Sequence, residues 1–376
     1  MIKRVLVSVS DKTGIVNFVR ELISFGCEII STGGTRALLE KEGIKVIDIS
    51  TVTGNPECFD GRVKTISFQV ASAILFDRNK HVEEAQVLNI KPIDMVVVNL
   101  YPFQESWEKL SKSEDALTSL VEEIDVGGVM LLRAAAKNFA SVASVCHPKF
   151  YQQIISEMRE SQGCLSQKTH FMLARESFNY TADYDSCIAV ALDELSGQSS
   201  VRLAFGAAKP LRYGENPHQS ATIHVNRQSK NPWNCLHGKE LSWSNLIDME
   251  AAVSAVSSFS RQACAVVKHN NPCGLSEAST QYLALKNAWD GDPISAFGSV
   301  IAFNKLVERE TVSFFNFHSD DRAKRLFVEV IIAPKISAEA LAITATKQNV
   351  RVLECGEWSA ERAQQLDFKR VNGGLL

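Results

Sequence analysis

The chain lacks a cysteine pair at metal or redox spacing, a basic block, an apolar run of membrane-crossing length, and a detectable internal repeat. Its nine cysteines include no CxxC and do not cluster with histidine, which argues against a dithiol or zinc site and for reduced, mostly buried thiols. Lys and Arg number 40 against 43 Asp and Glu, for a formal net charge of -3. Without an excess or a block of cations, general nucleic-acid binding is excluded, and an anionic ligand must be met by local basic groups. No apolar segment approaches the roughly 20 residues of a membrane span. The N-terminal "MIKRVLVSVSDKTG" has a short apolar stretch interrupted by serines, so it reads as a first strand and not as a signal peptide. A cytoplasmic protein with no membrane partner is expected.

What is present is an ordinary globular composition, 45% hydrophobic and 22% charged over 376 residues. That length predicts two domains of about 150–200 residues each. The first two hundred residues alternate strand-like and helix-like pieces, "RVLVSVS", "KTGIVNFVRELISFG", "CEIIST", "TRALLEKEG" and "IKVIDIS", the rhythm of an α/β domain with a largely parallel sheet. Ile15, Phe18, Val19 and Leu22 recur at helical spacing, and Gly26 follows as a stop. "DMVVVNLYPF" is a continuous apolar run suited to a central strand, and its polar end is where such sheets place a ligand. A helix over about 174–195 and the polar "SGQSS" put the boundary near residue 199, giving domains 1–199 and 200–376. The second half again mixes strands and helices.

Several loops of the first half combine small or hydroxylated residues with a cation just after a strand. "SVSDKTG" offers Ser10, Lys12 and Thr13, and "STGGT" offers Ser31, Thr32, Gly33, Gly34 and Thr35, each ahead of a helix. Free N–H groups at a helix start, with glycines that admit close approach, make a phosphate pocket. For either loop alone, an ordinary N-cap is the commoner reading. "GRVKT" adds Arg62 and Lys64, "NLYPF" adds Asn99 and Tyr101, and "IDVGGVMLLRAAAKN" adds Asp125 ahead of a helix bearing Arg133 and Lys137 on one face. In the second half, "VVKHNNPCG" places Lys268 and His269 at a strand end, with a turn expected from Asn271 and Pro272 to Gly274. A neighbouring cation favours the neutral imidazole that a general base needs. "LRYGENPHQ" offers Arg212 for phosphate or carboxylate and Tyr213 for stacking, and "LSWSNLIDMEAA" offers Asn245.

Taken in order, "SVSDKTG", "ISTGGT", "GRVKT", "NLYPF", "IDVGG" and "RAAAKN", followed by "LRYGENPHQ", "KHNNPCG" and "LDFKRVNGGLL", resemble the bifunctional purine-biosynthesis enzymes that combine AICAR transformylase with IMP cyclohydrolase. The resemblance implies a methylglyoxal-synthase-like parallel-sheet domain, followed by an incomplete cytidine-deaminase-like transformylase domain. It implies formyl transfer from 10-formyltetrahydrofolate to AICAR, closure of formyl-AICAR to IMP, no metal, and a homodimer. By motif, Ser10, Lys12, Thr13, residues 31–35 and Arg62 would bind nucleotide, with Lys64, Tyr101, Asp125 and Lys137 around the closing ring. Lys268 and His269 would serve formyl transfer, with Arg212, Tyr213 and Asn245 on the AICAR nucleotide. Residues 66–73, "ISFQVASA", depart from the family pattern, with Ser67, Phe68, Ala71 and Ala73 where His, Pro, His and Gly are expected. A strand would tolerate these residues, but the loop next to Lys64 need not keep its shape, so reduced ring closure is expected. The chain is also read as ending before the segments that complete the transformylase site, so transformylase turnover is expected to be absent or very weak. The alternatives are a non-catalytic purine-nucleotide-binding or assembly protein, and a degenerate gene product.

Overall fold

The structure, a computed structural model, describes residues 1–56, 58–59, 63–111, 115–198, 200–226, 233–321, 324–356 and 367–376. It divides into two compact units, Met1–Leu203 and Ala204–Leu376.

The first unit is built on strands β1 (Arg4–Val9), β2 (Glu28–Ser31), β3 (Ile47–Asp48), β4 (Met95–Asn99) and β5 (Ala143–Val145). All pair in parallel, in the order β3-β2-β1-β4-β5. The chain leaves β1 toward β2 and later returns on the other side at β4, with Val5 opposite Met95 and Val9 opposite Asn99. Strand order therefore reverses between β1 and β4, and the connections that diverge there open a crevice at their carboxyl ends. Val5, Leu6, Val7, Met95, Val96 and Val97 are completely buried, as a sheet covered on both faces requires. Helix Ile15–Ser24 presses Ile15, Phe18, Val19 and Leu22 onto it, and the chain exits through Gly26 at φ 84°. The unit closes with helix Gln167–Leu195, whose N-cap Ser166 accepts from the Thr169 amide. No helix among the described residues is long and apolar enough to cross a membrane.

Residues 66–73 do not form a strand. Phe68–Leu75 is a helix, and the Ser67 hydroxyl caps it by accepting from the Val70 amide at 3.1 Å. Val70, Ala73 and Ile74 supply the buried face. Ser67 thus supplies an N-cap, the local signal that an apolar run of this length does not itself provide.

The second unit contains β6 (Phe205–Pro210), β7 (Thr222–Asn226), β8 (Asn234–His237), β9 (Gln262–Lys268), β10 (Asn271–Ala278), β11 (Ser299–Phe303), β12 (Val328–Ala333) and β13 (Arg351–Glu354). Six of them form a mixed sheet ordered β10-β9-β11-β12-β13-β8. Alternation along β9 divides its two cores. Ala263, Ala265 and Val267 face the core completed by helix Trp243–Ser257, while Cys264 and Val266 face the one completed by helix Gln281–Gly291. The "FFNF" stretch at residues 314–317 packs into the latter core. Phe315 and Phe317 are buried and stacked 5.3 Å apart, and Trp289 meets Phe314 edge-on at 5.8 Å.

The turn after β9 also differs from expectation. Asn271 pairs with Lys268, so the turn is His269 and Asn270, and Asn271–Ala278 is a strand. Both turn residues have positive φ, 53° and 63°, the signature of a two-residue type I′ hairpin. Pro272 and Gly274 instead mark a bulge. Gly274 is required there because a Cβ would collide with the backbone of Ala288.

Candidate active site

At the β1/β4 switch point lies a cavity of about 620 Å³. Its floor is set by Asn99, whose Oδ1 accepts from the amides of Ser10 at 2.6 Å and Asp11 at 2.8 Å, while its Nδ2 donates to the Asp11 carbonyl at 3.0 Å. Asn99 thereby fixes the loop that presents Lys12. The Lys12 ammonium rests against the Val9 carbonyl and donates to Thr35 Oγ1 at 2.9 Å. Burial, then the nearby Lys64 charge, lowers its pKa, with Asp11 opposing. Two cations facing one cavity hold a field that an anionic ligand would relieve.

Helix Gly33–Lys41 starts at the same cavity. Its N-cap, Thr32, makes no side-chain cap hydrogen bond. Thr32 is 3% exposed, and its hydroxyl oxygen is buried with no partner among the described residues. Such a group is costly unless something completes it. Gly33 adopts φ 50°, and a Cβ there would stand 3.7 Å from Lys64 Nζ. A Cβ on Gly34 would meet nothing within 4 Å. Thr32, Gly33 and Lys64 also border a neighbouring cavity of about 400 Å³, where Arg36 pairs with Asp48 and with Glu40.

The opposite wall comes from helix Gly127–Lys137. Asp125 folds over its start and accepts from the Gly128 amide at 2.7 Å. A Cβ on Gly128 would overlap this carboxylate and lie 2.8 Å from Leu100 Cδ2; one on Gly127 would lie 2.8 Å from Thr65 Oγ1. Tyr184 braces the arrangement, its hydroxyl accepting from the Asp125 amide at 2.8 Å and donating to the Glu123 carbonyl at 3.1 Å. Burial raises the Asp125 pKa, against the lowering effect of the Gly128 amide and Lys64. Its place on the cavity wall puts this carboxyl group where it could exchange a proton with a ligand.

The structure therefore gathers Ser10, Lys12, Thr32, Gly33, Gly34, Thr35, Lys64, Tyr101 and Asp125 around one cavity. Thr13 and Ser31 are not in its lining. Thr13 is exposed, its amide donating to Asp11 Oδ1 at 2.9 Å, and Ser31 is buried, its hydroxyl donating to the Val7 carbonyl at 2.9 Å. Lys137 is exposed at the far end of its helix, ten residues and about 15 Å beyond the cavity-facing start. Arg62 lies outside the described residues. Sequence reasoning missed Ser8, Thr65 and Glu122, which also line the cavity. Thr65 directly follows Lys64 in "GRVKT" and was the most accessible of the three.

In the second unit, Lys268 Nζ donates to the Phe297 carbonyl at 2.9 Å, and His269 is exposed on the hairpin. The Arg212 guanidinium stands 5.4 Å over the Tyr213 ring. Asn245 has a structural role. It is 3% exposed, forms a reciprocal capping box with Ser242, and donates to Glu329 Oε2 at 2.8 Å. Its polar atoms are occupied in holding helix Trp243–Ser257 to β12. A second-unit cavity of about 570 Å³ is lined by Glu215, His218, Gln219 and Trp243, among others, and not by Arg212 or Tyr213.

Comparison with known proteins matches residues 14–130 to the MGS-like domain and residues 135–376 to the AICARFT/IMPCHase bienzyme. The latter match begins inside helix Gly127–Lys137 and crosses the division between the two units. A solved structure described as "Crystal structure of ForH" is 29% identical, covering 51% of this chain and 98% of that chain, with a TM-score of 0.43. With an MGS-like parallel-sheet domain leading into a bienzyme match that spans most of its length, the chain belongs to the AICARFT/IMPCHase bienzyme family of purine biosynthesis.

Proposed function

We propose that the first-unit cavity closes formyl-AICAR to IMP. The observation that carries this reading is the placement of Lys12, Lys64, Tyr101 and Asp125 around one cavity, together with an uncapped helix start. The nucleotide phosphate would sit at the start of helix Gly33–Lys41, against Thr32 Oγ1, the amides at Gly33 and Gly34, and Lys12. Toward Asp125, the carboxamide nitrogen attacks the formyl carbon, forming the ring C–N bond. Asp125 takes a proton from that nitrogen, and the formamido nitrogen gives up its N–H as its bond to the former formyl carbon becomes double; Lys64 and Tyr101 relay two protons to the former formyl oxygen, which leaves as water. No oxidant or further co-reactant enters this balance.

The second unit would contribute Lys268 and His269 to formyl transfer. The AICAR amine attacks the formyl carbon of 10-formyltetrahydrofolate, His269 accepts its proton, and a proton replaces the formyl group on the departing tetrahydrofolate nitrogen. Lys268, fixed on the Phe297 carbonyl, places a positive charge beside that exchange. Within the family, the working state would be a homodimer. The deciding experiment follows IMP formation from formyl-AICAR by wild type, Asp125→Asn and Lys64→Ala. Turnover by wild type with a loss of about a hundredfold or more in Asp125→Asn is expected. Nucleotide binding by wild type without turnover would instead identify a non-catalytic purine-nucleotide-binding protein.

A further inference from the structure

The hairpin that carries His269 is held by more than its own pairing. A histidine at φ 53° is uncommon for a residue with a Cβ, and such conformations persist only where neighbours enforce them. Asp248, in the second turn of helix Trp243–Ser257, accepts from the Asn270 amide at 2.7 Å. Its half-buried carboxyl is raised by desolvation and drawn back by the Asn270 amide and by the charge and amide of His269. On the far side of the turn, Asn271 Nδ2 donates to the His269 carbonyl at 2.9 Å. The helix bearing Asp248 is in turn fastened to the sheet. Its capping residue Asn245 donates to Glu329 on β12, and buried Arg351 on β13 stands 3.7 Å from the same carboxylate oxygen. A continuous set of hydrogen-bonded and charged groups thus runs from β13 and β12 through the helix start to the turn.

We propose that Asp248 is the positioning residue of the His269 turn: its carboxylate holds the left-handed backbone of His269 and Asn270 and so fixes where the imidazole stands. The proposal rests on the reading of His269 as the proton acceptor of formyl transfer, and it assigns that residue its support. A hairpin closed by pairing alone would leave two left-handed residues, both bearing a Cβ, free to sample other turns.

Amide exchange and histidine imidazole resonances of the full chain test this in Asp248→Ala and Asp248→Asn. In the alanine variant, exchange at Asn270 is expected to accelerate by about tenfold or more, the loss of one hydrogen bond to a charged acceptor, and the His269 resonance to broaden. Asparagine keeps an acceptor oxygen in place and is expected to restore both signals toward wild type. Rescue of this kind separates positioning from a general weakening of the helix, because both variants remove the charge and only one removes the acceptor. Unchanged Asn270 exchange and an unchanged His269 resonance in Asp248→Ala would overturn the proposal. Added AICAR is expected to shift the His269 resonance in wild type and Asp248→Asn more than in Asp248→Ala. If AICAR leaves it unmoved in wild type, the nucleotide reading of the second unit fails, while the exchange and line-shape results still decide the positioning role.

Discussion

Substituting Gly128 by alanine should damage stability and ring closure together, because one atom is asked to occupy the position of the Asp125 carboxylate. The added Cβ would overlap that group and approach Leu100 Cδ2 to 2.8 Å. Asp125 must then swing away and release the 2.7 Å bond from the Gly128 amide. A hydrogen bond to a charged acceptor contributes about 1.5–3 kcal/mol. The gain in helix propensity from glycine to alanine offsets up to about 1 kcal/mol. A net loss of about 0.5–2 kcal/mol remains, a fall of about 1–8 °C in the melting transition of a unit of this size. Displacing the proposed base should lower IMP formation by about a hundredfold to ten-thousandfold. Gly34→Ala is the matched control, since its Cβ enters open space at a helix start. That variant should be as stable as wild type or slightly more so, yet bind IMP more weakly, because the space it fills belongs to the ligand. Thermal melts and calorimetric IMP titration of both variants provide the assay. A Gly128→Ala chain with wild-type melting and turnover would refute the geometry on which the mechanism depends.

The raised Asp125 carboxyl gives a signed dependence on pH. The folded state holds this proton more tightly than the unfolded one, so stability is fully present below the unfolded value, near 3.8, and falls as pH rises through the higher folded value. Asp125→Asn removes that decline, and denaturation midpoints of variant and wild type should diverge with rising pH across that window; parallel curves would contradict a raised carboxyl. Thr32→Val replaces an unpartnered buried hydroxyl with a methyl of similar shape, so the unliganded chain should keep or gain stability while IMP affinity falls about tenfold, the value of one hydrogen bond. Equal affinity for IMP would remove Thr32 from the phosphate site.

The sequence by itself determined the α/β class of the first unit, the buried central strands, and the clustering of small and cationic residues at strand ends. These are local properties: apolar runs set burial, and Ser, Thr and Gly ahead of a helical pattern set its start. It also determined the family, because ordered motifs survive without knowledge of their contacts. Tertiary structure decided which of those residues share a space. Ser31 and Thr32 are adjacent in the chain, yet one hydroxyl is tied to β1 and the other lies unpartnered beside the cavity, a difference set by backbone direction at the strand end. Asp125 and Lys137 belong to one motif, but a helix of rigid rise holds them at opposite ends. Nothing local in the sequence signals that Asn245 is bonded to Glu329, 84 residues away. The position of the His269 turn follows from the register of β9 against β10, and register is a property of paired strands that neither strand's residues express alone.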